Sequence, residues 1–251
     1  MKLLKGALFP VAFLLLWEIG MRASGIQSDS LAPPSQIAVA FYDALLDGTV
    51  LERTAQTLFM VICGLGIGGG LALVFSVLMG LVPAFARLMQ FSIEVLRPVP
   101  PVALIPVAML IFGFGFPMEI TLCAFACFWP VAIYGHAAIA NIEPQLLDLS
   151  RVLRLSPIAR VFKIVLPAAL PRYFVGFRLS AAVSLIIAVT VEITINPLGV
   201  GFELMKASQS LHPDRMFAML LWIGVIGGGL NGALLFAQRR LFGRAGIAAA
   251  R

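Results

Sequence analysis

From Thr57 to Phe85 the chain reads TLFMVICGLGIGGGLALVFSVLMGLVPAF, 29 residues without a charge. A helix rises 1.5 Å per residue, so about 20 apolar residues cross the hydrocarbon of a bilayer. Comparable runs recur at 6–24, 90–113, 118–140, 170–195 and 215–236. This spacing predicts an all-α integral membrane protein with about six transmembrane helices. The whole chain is 61% hydrophobic and only 12% charged, with mean hydropathy +1.01. A soluble domain carries about 25% charged residues, and one of this length could not hide so much apolar surface.

The first run, GALFPVAFLLLWEIGMRAS, follows Lys2 and Lys5. Bulky Trp17, then Glu18, and no small-x-small cleavage site make it an uncleaved span rather than a signal peptide. Glu18 is expected to be satisfied by a partner helix or water. Pro33 and Pro34 break the chain, Ser35 reads as an N-cap, and 36–46 alternate as a short interfacial amphipathic helix. Gly64, Gly68 and Ala72 lie four apart, so another helix can approach closely there. Pro98, Pro100, Pro101 and Pro106 make the third run irregular at its start. The chain divides into a first helix with an external amphipathic segment (1–50), a transmembrane domain (51–240) and a tail (241–251).

Both ends of a six-span chain lie on one side. If that side is cytoplasmic, 14 of the 18 Lys and Arg fall inside, and only Arg22, Arg53, Lys206 and Arg215 fall outside. This asymmetry predicts both termini in the cytoplasm of a multi-pass protein. It also accounts for the net charge of +6, without nucleic acid as a partner.

One segment between the fourth and fifth runs departs from the oily pattern. EPQLLDLSRVLRLSPIARVFKIVLP, 143–167, carries Glu143, Asp148, Arg151, Arg154, Arg160 and Lys163. Read as a helix, Leu146, Leu149, Val152, Leu153 and Ser156 tend to one face. Ser156–Pro157 ends or kinks it, and a second helical stretch follows. A plain connection needs only a few residues. A structured, charged, amphipathic loop suggests a docking surface for a cytoplasmic partner.

Catalytic chemistry is not indicated. The chain has no G-x-x-x-x-G-K-[ST], H-E-x-x-H or G-x-S-x-G pattern. Cys63, Cys123 and Cys127 lie in apolar runs without a neighbouring His. They read as buried small residues, not as a metal site. No catalytic residue, metal or cofactor is expected. A secondary transporter is the alternative class, but no clear internal repeat supports it.

The 143–167 segment resembles the EAA loop of ABC-importer permeases. The acidic position falls on Asp148, followed by Leu149 and Ser150, and the I-x-L-P end is Ile164-Val165-Leu166-Pro167. LAPPSQ at 31–36, RPVPPVALIPVAMLIFGFG at 97–115, LPAALPRYFVGFRL at 166–179 and PLGVG at 197–201 look like permeases of the nitrate/sulfonate/taurine group. The resemblance covers nearly the whole chain. It implies a type I ABC importer permease fold in the bacterial cytoplasmic (inner) membrane, with a cytoplasmic coupling helix. The partners it implies are an ATP-binding subunit that holds the ATP, a second permease copy (homodimer or hetero-pair) and an extracytoplasmic substrate-binding protein. The coupling residues it implies are Glu143, Asp148, Ser150, Arg151, Arg154, Leu155 and Ser156. Arg154 stands where the family has glycine, and Leu149 and Ser150 where it has two alanines.

A charge inside a span marks function by default. Glu192, in SLIIAVTVEITINPLG, is the clearest case, with Thr190 and Thr194 flanking it. These three are the candidate pathway residues.

Overall fold

The structure, a computed structural model, describes residues 2–24 and 29–249, with side chains from 9–23 and 29–243. Arg251 and the side chains of Lys2, Lys5 and Arg244 lie outside the described residues. Among the described residues all regular elements are helical: α1 Lys2–Ser24, α2 Pro34–Leu46, α3 Thr49–Leu81, α4 Pro83–Leu96, α5 Ile105–Phe112, α6 Phe116–Ala140, α7 Pro144–Val152, α8 Pro157–Arg160, α9 Leu166–Thr194, α10 Gly199–Gln209 and α11 Pro213–Ala249. A 3-10 turn, Pro101–Leu104, precedes α5, and a π-turn, Val161–Val165, joins α8 to α9. Five of the helices open on proline. The first helical position tolerates the missing N–H and uses the fixed φ.

Among the described residues four helical stretches are long and apolar enough to cross a membrane: Thr49–Leu81, Phe116–Ala140, Pro157–Gln209 and Pro213–Gly243. The third expected run is not a straight span. α4 and the Pro101–Phe112 piece meet at 86°, which makes five spans if the pair counts as one. The physical cause is Pro98, Pro100 and Pro101, which supply no backbone donors across the bend. α1 is helical over 23 residues, but its first side chains are outside the description and it is not in that count.

The contacts divide the chain into two compact units. One comprises Leu58–Val191 and Gly227–Arg251. Its core holds Ala72, Val131, Ala132, Ala138, Ile139, Ile142, Val165, Ala169 and Tyr173. In lipid the hydrophobic effect does not press helices together, so close packing and hydrogen bonds must. The glycines of α3 permit that packing. A Cβ at Gly64 would lie 2.4 Å from Cys123 Cβ, and one at Gly68 would lie 2.1 Å from the Ala124 carbonyl oxygen. Cys127 Sγ donates to the Gly64 carbonyl at 3.3 Å, and Ser180 Oγ to the Cys127 carbonyl at 2.9 Å. A short hydrogen bond joins Ser76 to the Tyr173 hydroxyl. The cysteines of α6 are packing residues, as expected of small apolar side chains.

The other unit comprises Met1–Thr57 and Glu192–Ile226. Ala32, Ile37 and Ala218 form its apolar centre, with Trp17, Phe41 and Phe217 around them. Trp222 Nε1 donates to Thr54 Oγ1 at 2.7 Å. α2 buries Ile37, Ala40 and Ala44, while its other side is mixed, exposing Val39, Tyr42 and Leu46 beside Gln36 and Asp43. Ser35 is not the N-cap: Pro33 takes that position and Pro34 opens the helix. The Ser35 amide and hydroxyl instead donate to the Glu18 carboxylate, at 3.0 and 2.8 Å. Arg22 Nε reaches the same carboxylate. Glu18 therefore ties α1 to α2.

Candidate functional site

The first site is the polar loop. α7 opens on Pro144 after Glu143, which holds the N-cap position without a side-chain cap bond. It stops two residues after Ser150 because the chain turns left-handed at Arg154, with φ +50. The Leu155 amide donates back to the Ser150 carbonyl, and the Arg154 amide to the Arg151 carbonyl, both at 3.0 Å. This pair of bonds is a Schellman stop, whose left-handed position favours glycine. Arg154 therefore occupies a glycine conformation with a Cβ, at a local cost of about 1–2 kcal/mol.

Ser156 does not belong to α7, where the sequence reading placed it. The left-handed turn ends the helix first, and Ser156 becomes the N-cap of α8, its Oγ accepting from the Ala159 amide at 3.3 Å. The two charged groups on α7 pair with each other, Arg151 Nη1 to Asp148 Oδ1 at 2.7 Å. Ser150 is buried and donates to the Leu147 carbonyl at 2.5 Å. The apolar residues beside it point the other way: Leu149 is 48% exposed, Leu153 58% and Val152 79%.

The second site surrounds Glu192, at the end of α9. The side chain is 1% exposed. Thr57 Oγ1 donates to its Oε1 at 2.6 Å, and the Gly201 amide donates to its Oε2 at 2.8 Å. The Val200 amide donates to Thr57 Oγ1 at 3.0 Å, and the Gly199 amide to Gln56 Oε1 at 2.9 Å. Three successive amides at the start of α10, which no helix can satisfy internally, are thus held by side chains from α3 and α9. Gly199 sits at φ +82, and a Cβ there would fall 1.9 Å from Glu192 Oε1. Only glycine fits.

A half-buried ion pair extends the cluster. Arg53 Nη2 meets Glu203 Oε1 at 3.0 Å, while Arg53 Nη1 donates to the Pro197 carbonyl at 3.3 Å. Beside it a cavity of about 270 Å³ is lined by Asp47, Glu52, Lys206, His212 and Arg215 among others. Asp47 lies at the turn into α3. Its carboxyl is held below the usual range by the Thr49 hydroxyl and amide, with a smaller contribution from Arg215.

Thr190 and Thr194 flank Glu192 on α9. Residues two apart on a helix point to opposite sides. Thr190 Oγ1 donates to the Ile186 carbonyl at 2.7 Å, and the Thr194 side chain is exposed. Sequence reasoning missed Arg53, Gln56, Thr57 and Glu203. The available signal was the run of amides at Gly199-Val200-Gly201, which needed acceptors. Among the described residues no group of His, Cys, Asp or Glu is disposed to hold a metal.

Known transport proteins resemble this chain over most of its length. The taurine transport system permease protein TauC of Escherichia coli is 28% identical over 216 residues, covering 84% of this chain and 78% of that protein. The bicarbonate transport system permease protein CmpB of Synechocystis is 27% identical over 241 residues, covering 91% and 85%. The nitrate import permease protein NrtB of the same organism is 25% identical over 235 residues, covering 90% and 84%. The MetNI methionine ABC transporter, solved in inward-facing conformations, has a chain that superposes with TM-score 0.66 at 20% identity. The match covers 80% of this chain and 97% of that one, and it shows the fold. The family model of binding-protein-dependent transport system inner membrane components matches residues 64–245. The chain belongs to that family: it is the permease subunit of an ABC importer, working with a separate ATPase that handles the ATP.

Proposed function

We propose that this permease carries a small solute bearing an oxyanion group, delivered by an extracytoplasmic binding protein and passed between two permease chains. Taurine, bicarbonate and nitrate, named for the relatives above, share that chemistry. Both termini are cytoplasmic in this reading, which the 14-to-4 distribution of Lys and Arg supports. The α7–α8 loop is then the coupling surface for the ATPase.

The observation that carries the coupling role is the mixed face of α7. Val152 and Leu153 are exposed beside an exposed Asp148–Arg151 ion pair. Such a face is too charged for hydrocarbon and too apolar for water, so a protein cleft is its natural cover. Leu149, Val152 and Leu153 supply the apolar anchor, and Asp148 and Arg151 the charged rim. Glu143 starts the helix, Ser150 seats it on the permease, and Arg154, Leu155 and Ser156 form the turn that sets the angle of α8.

Glu192 serves the pathway by position in this reading, holding α10 in place. Thr194, one turn below Thr190, has an exposed side chain.

The test is co-purification of the ATPase with Val152→Asp and Arg151→Glu. The expected result is normal membrane insertion and association weakened by about tenfold or more, or 1.4 kcal/mol. Unchanged association and transport in both variants would leave the loop as a topological signal only.

A further inference from the structure

In the larger unit a cavity of about 340 Å³ opens between α6 and α9, lined by Tyr134, Ala137, Ala138, Asn141, Arg172 and Val175. Arg172 lies near the start of α9, past Leu166 and Pro171, within a stretch apolar enough to span. A guanidinium cannot shed its charge. Arg172 is exposed and Tyr134 is 40% exposed, so both face the open mouth of the cavity, and an arginine in such a segment without a counter-charge is a candidate site.

Among the described residues the Arg172 guanidinium has no hydrogen-bond or ion-pair partner, and neither has the Tyr134 hydroxyl. No carboxylate lines the cavity. The carboxyl end of α6 would itself attract a cation. Its Ala137 carbonyl, however, already accepts from the Asn141 amide at 3.2 Å and from Asn141 Nδ2 at 2.7 Å. The second of these bonds uses one of the two Asn141 Nδ2–H donors and leaves the other. The cavity thus offers a planar fork of N–H groups, one phenolic hydroxyl, one amide N–H and small apolar walls.

We infer that the Arg172–Tyr134 cavity is an oxyanion site, holding one sulfonate, phosphate or similar group on the guanidinium fork and the Tyr134 hydroxyl. A fork of parallel N–H donors matches two oxygens of such a group. A cation would be repelled, and an apolar occupant would leave the charge unpaired. Two sources carry the chemistry: a free solute in the pathway, or the phosphate of an anionic lipid. The inference stands apart from the solute reading above, since a lipid phosphate would satisfy the same donors.

The full-length chain, co-purified with its ATPase and held without nucleotide, separates them. Ala137→Cys in a Cys63→Ala background puts a thiol on the cavity wall, because Cys123 and Cys127 are buried. The readout is its rate of modification by a neutral maleimide in nanodiscs. In phosphatidylcholine, methanesulfonate is compared with chloride at equal ionic strength. In the second arm phosphatidylglycerol replaces part of the neutral lipid.

Saturable protection by methanesulfonate that disappears in Arg172→Gln assigns the site to a free oxyanion. Protection by phosphatidylglycerol alone, also lost in Arg172→Gln, assigns it to a headgroup. Tyr134→Phe should raise the half-protecting concentration by about tenfold, the worth of one hydrogen bond to a charged group. Arg172→Lys keeps the charge without the fork, and should bind more weakly than wild type. These two variants decide the matter even if Arg172→Gln does not reach the membrane. No protection in either arm, or protection that none of the variants changes, overturns the inference.

Discussion

Thr57 and Glu192 lie 135 positions apart in sequence, yet the hydroxyl of the first donates to the carboxylate of the second at 2.6 Å, and both then hold amides at the start of α10. Glu192→Ala would leave the Gly201 amide and Thr57 without that partner. The expected cost is about 1–3 kcal/mol per unsatisfied buried group. Glu192→Gln is expected to do much less harm. Its amide oxygen can accept from Gly201, its NH2 can donate to Thr57, and the Thr57 hydroxyl can turn to the Arg53 carbonyl, 3.2 Å away. Thermal unfolding of the purified chain should rank wild type and Glu192→Gln well above Glu192→Ala. Equal melting of the Ala and Gln variants would argue that the carboxylate holds nothing.

Arg154 offers a stabilising change. Glycine takes φ +50 without strain, so Arg154→Gly removes about 1–2 kcal/mol of local cost. The more flexible unfolded chain gives back about 0.4–1 kcal/mol of that. A small net gain is expected, seen as slower hydrogen exchange of the Leu155 amide. Faster exchange in the variant would show that the arginine side chain stabilises the turn in some other way.

Two glycines of α3 should respond oppositely to the same substitution. A Cβ at Gly68 would collide with the Ala124 carbonyl, whereas one at Gly70 meets nothing within 4 Å. Gly68→Ala is expected to cost about 1–3 kcal/mol through forced separation of α3 and α6. Gly70→Ala is expected to gain about 0.5–1 kcal/mol from reduced backbone freedom. Melting temperatures of the two variants against wild type test both signs.

Asp47 gives the turn into α3 a pH dependence. The Thr49 hydroxyl and amide lower its carboxyl below the usual range. A lowered folded-state value means the stabilisation is complete above the unfolded-state value. It is lost as pH falls through the folded one. The stability difference between wild type and Asp47→Asn should therefore be full at neutral pH and shrink on acidification through the carboxylate range. A difference that grows as pH falls would reverse the sign and defeat the assignment.

Much of this protein was legible in one dimension. Helical apolar runs announce themselves because a span must satisfy its backbone internally and face lipid with apolar side chains. The prolines at 34, 83, 144, 157 and 213 stand at helix starts, where a missing N–H costs least, whereas Pro10, Pro130 and Pro171 lie inside helices. The close-packed glycines of α3 could be read from their spacing, and the 143–167 loop from its break in hydropathy. Arg154 stood visibly at a glycine position, though its left-handed turn, and with it the transfer of Ser156 from α7 to α8, depended on where the helix stopped.

Only the tertiary structure decided what the isolated polar groups do. Nothing local shows which donors a buried carboxylate will meet. Glu192 accepts from Thr57, 135 positions away, and from the Gly201 amide because α3 and α10 bring them to it. Arg172 became a candidate site because the fold sets Tyr134 beside the same cavity and no acid. The reason is physical: the energy of a buried charge is set by the donors and acceptors within hydrogen-bond reach, and those come from remote parts of the chain that only folding assembles.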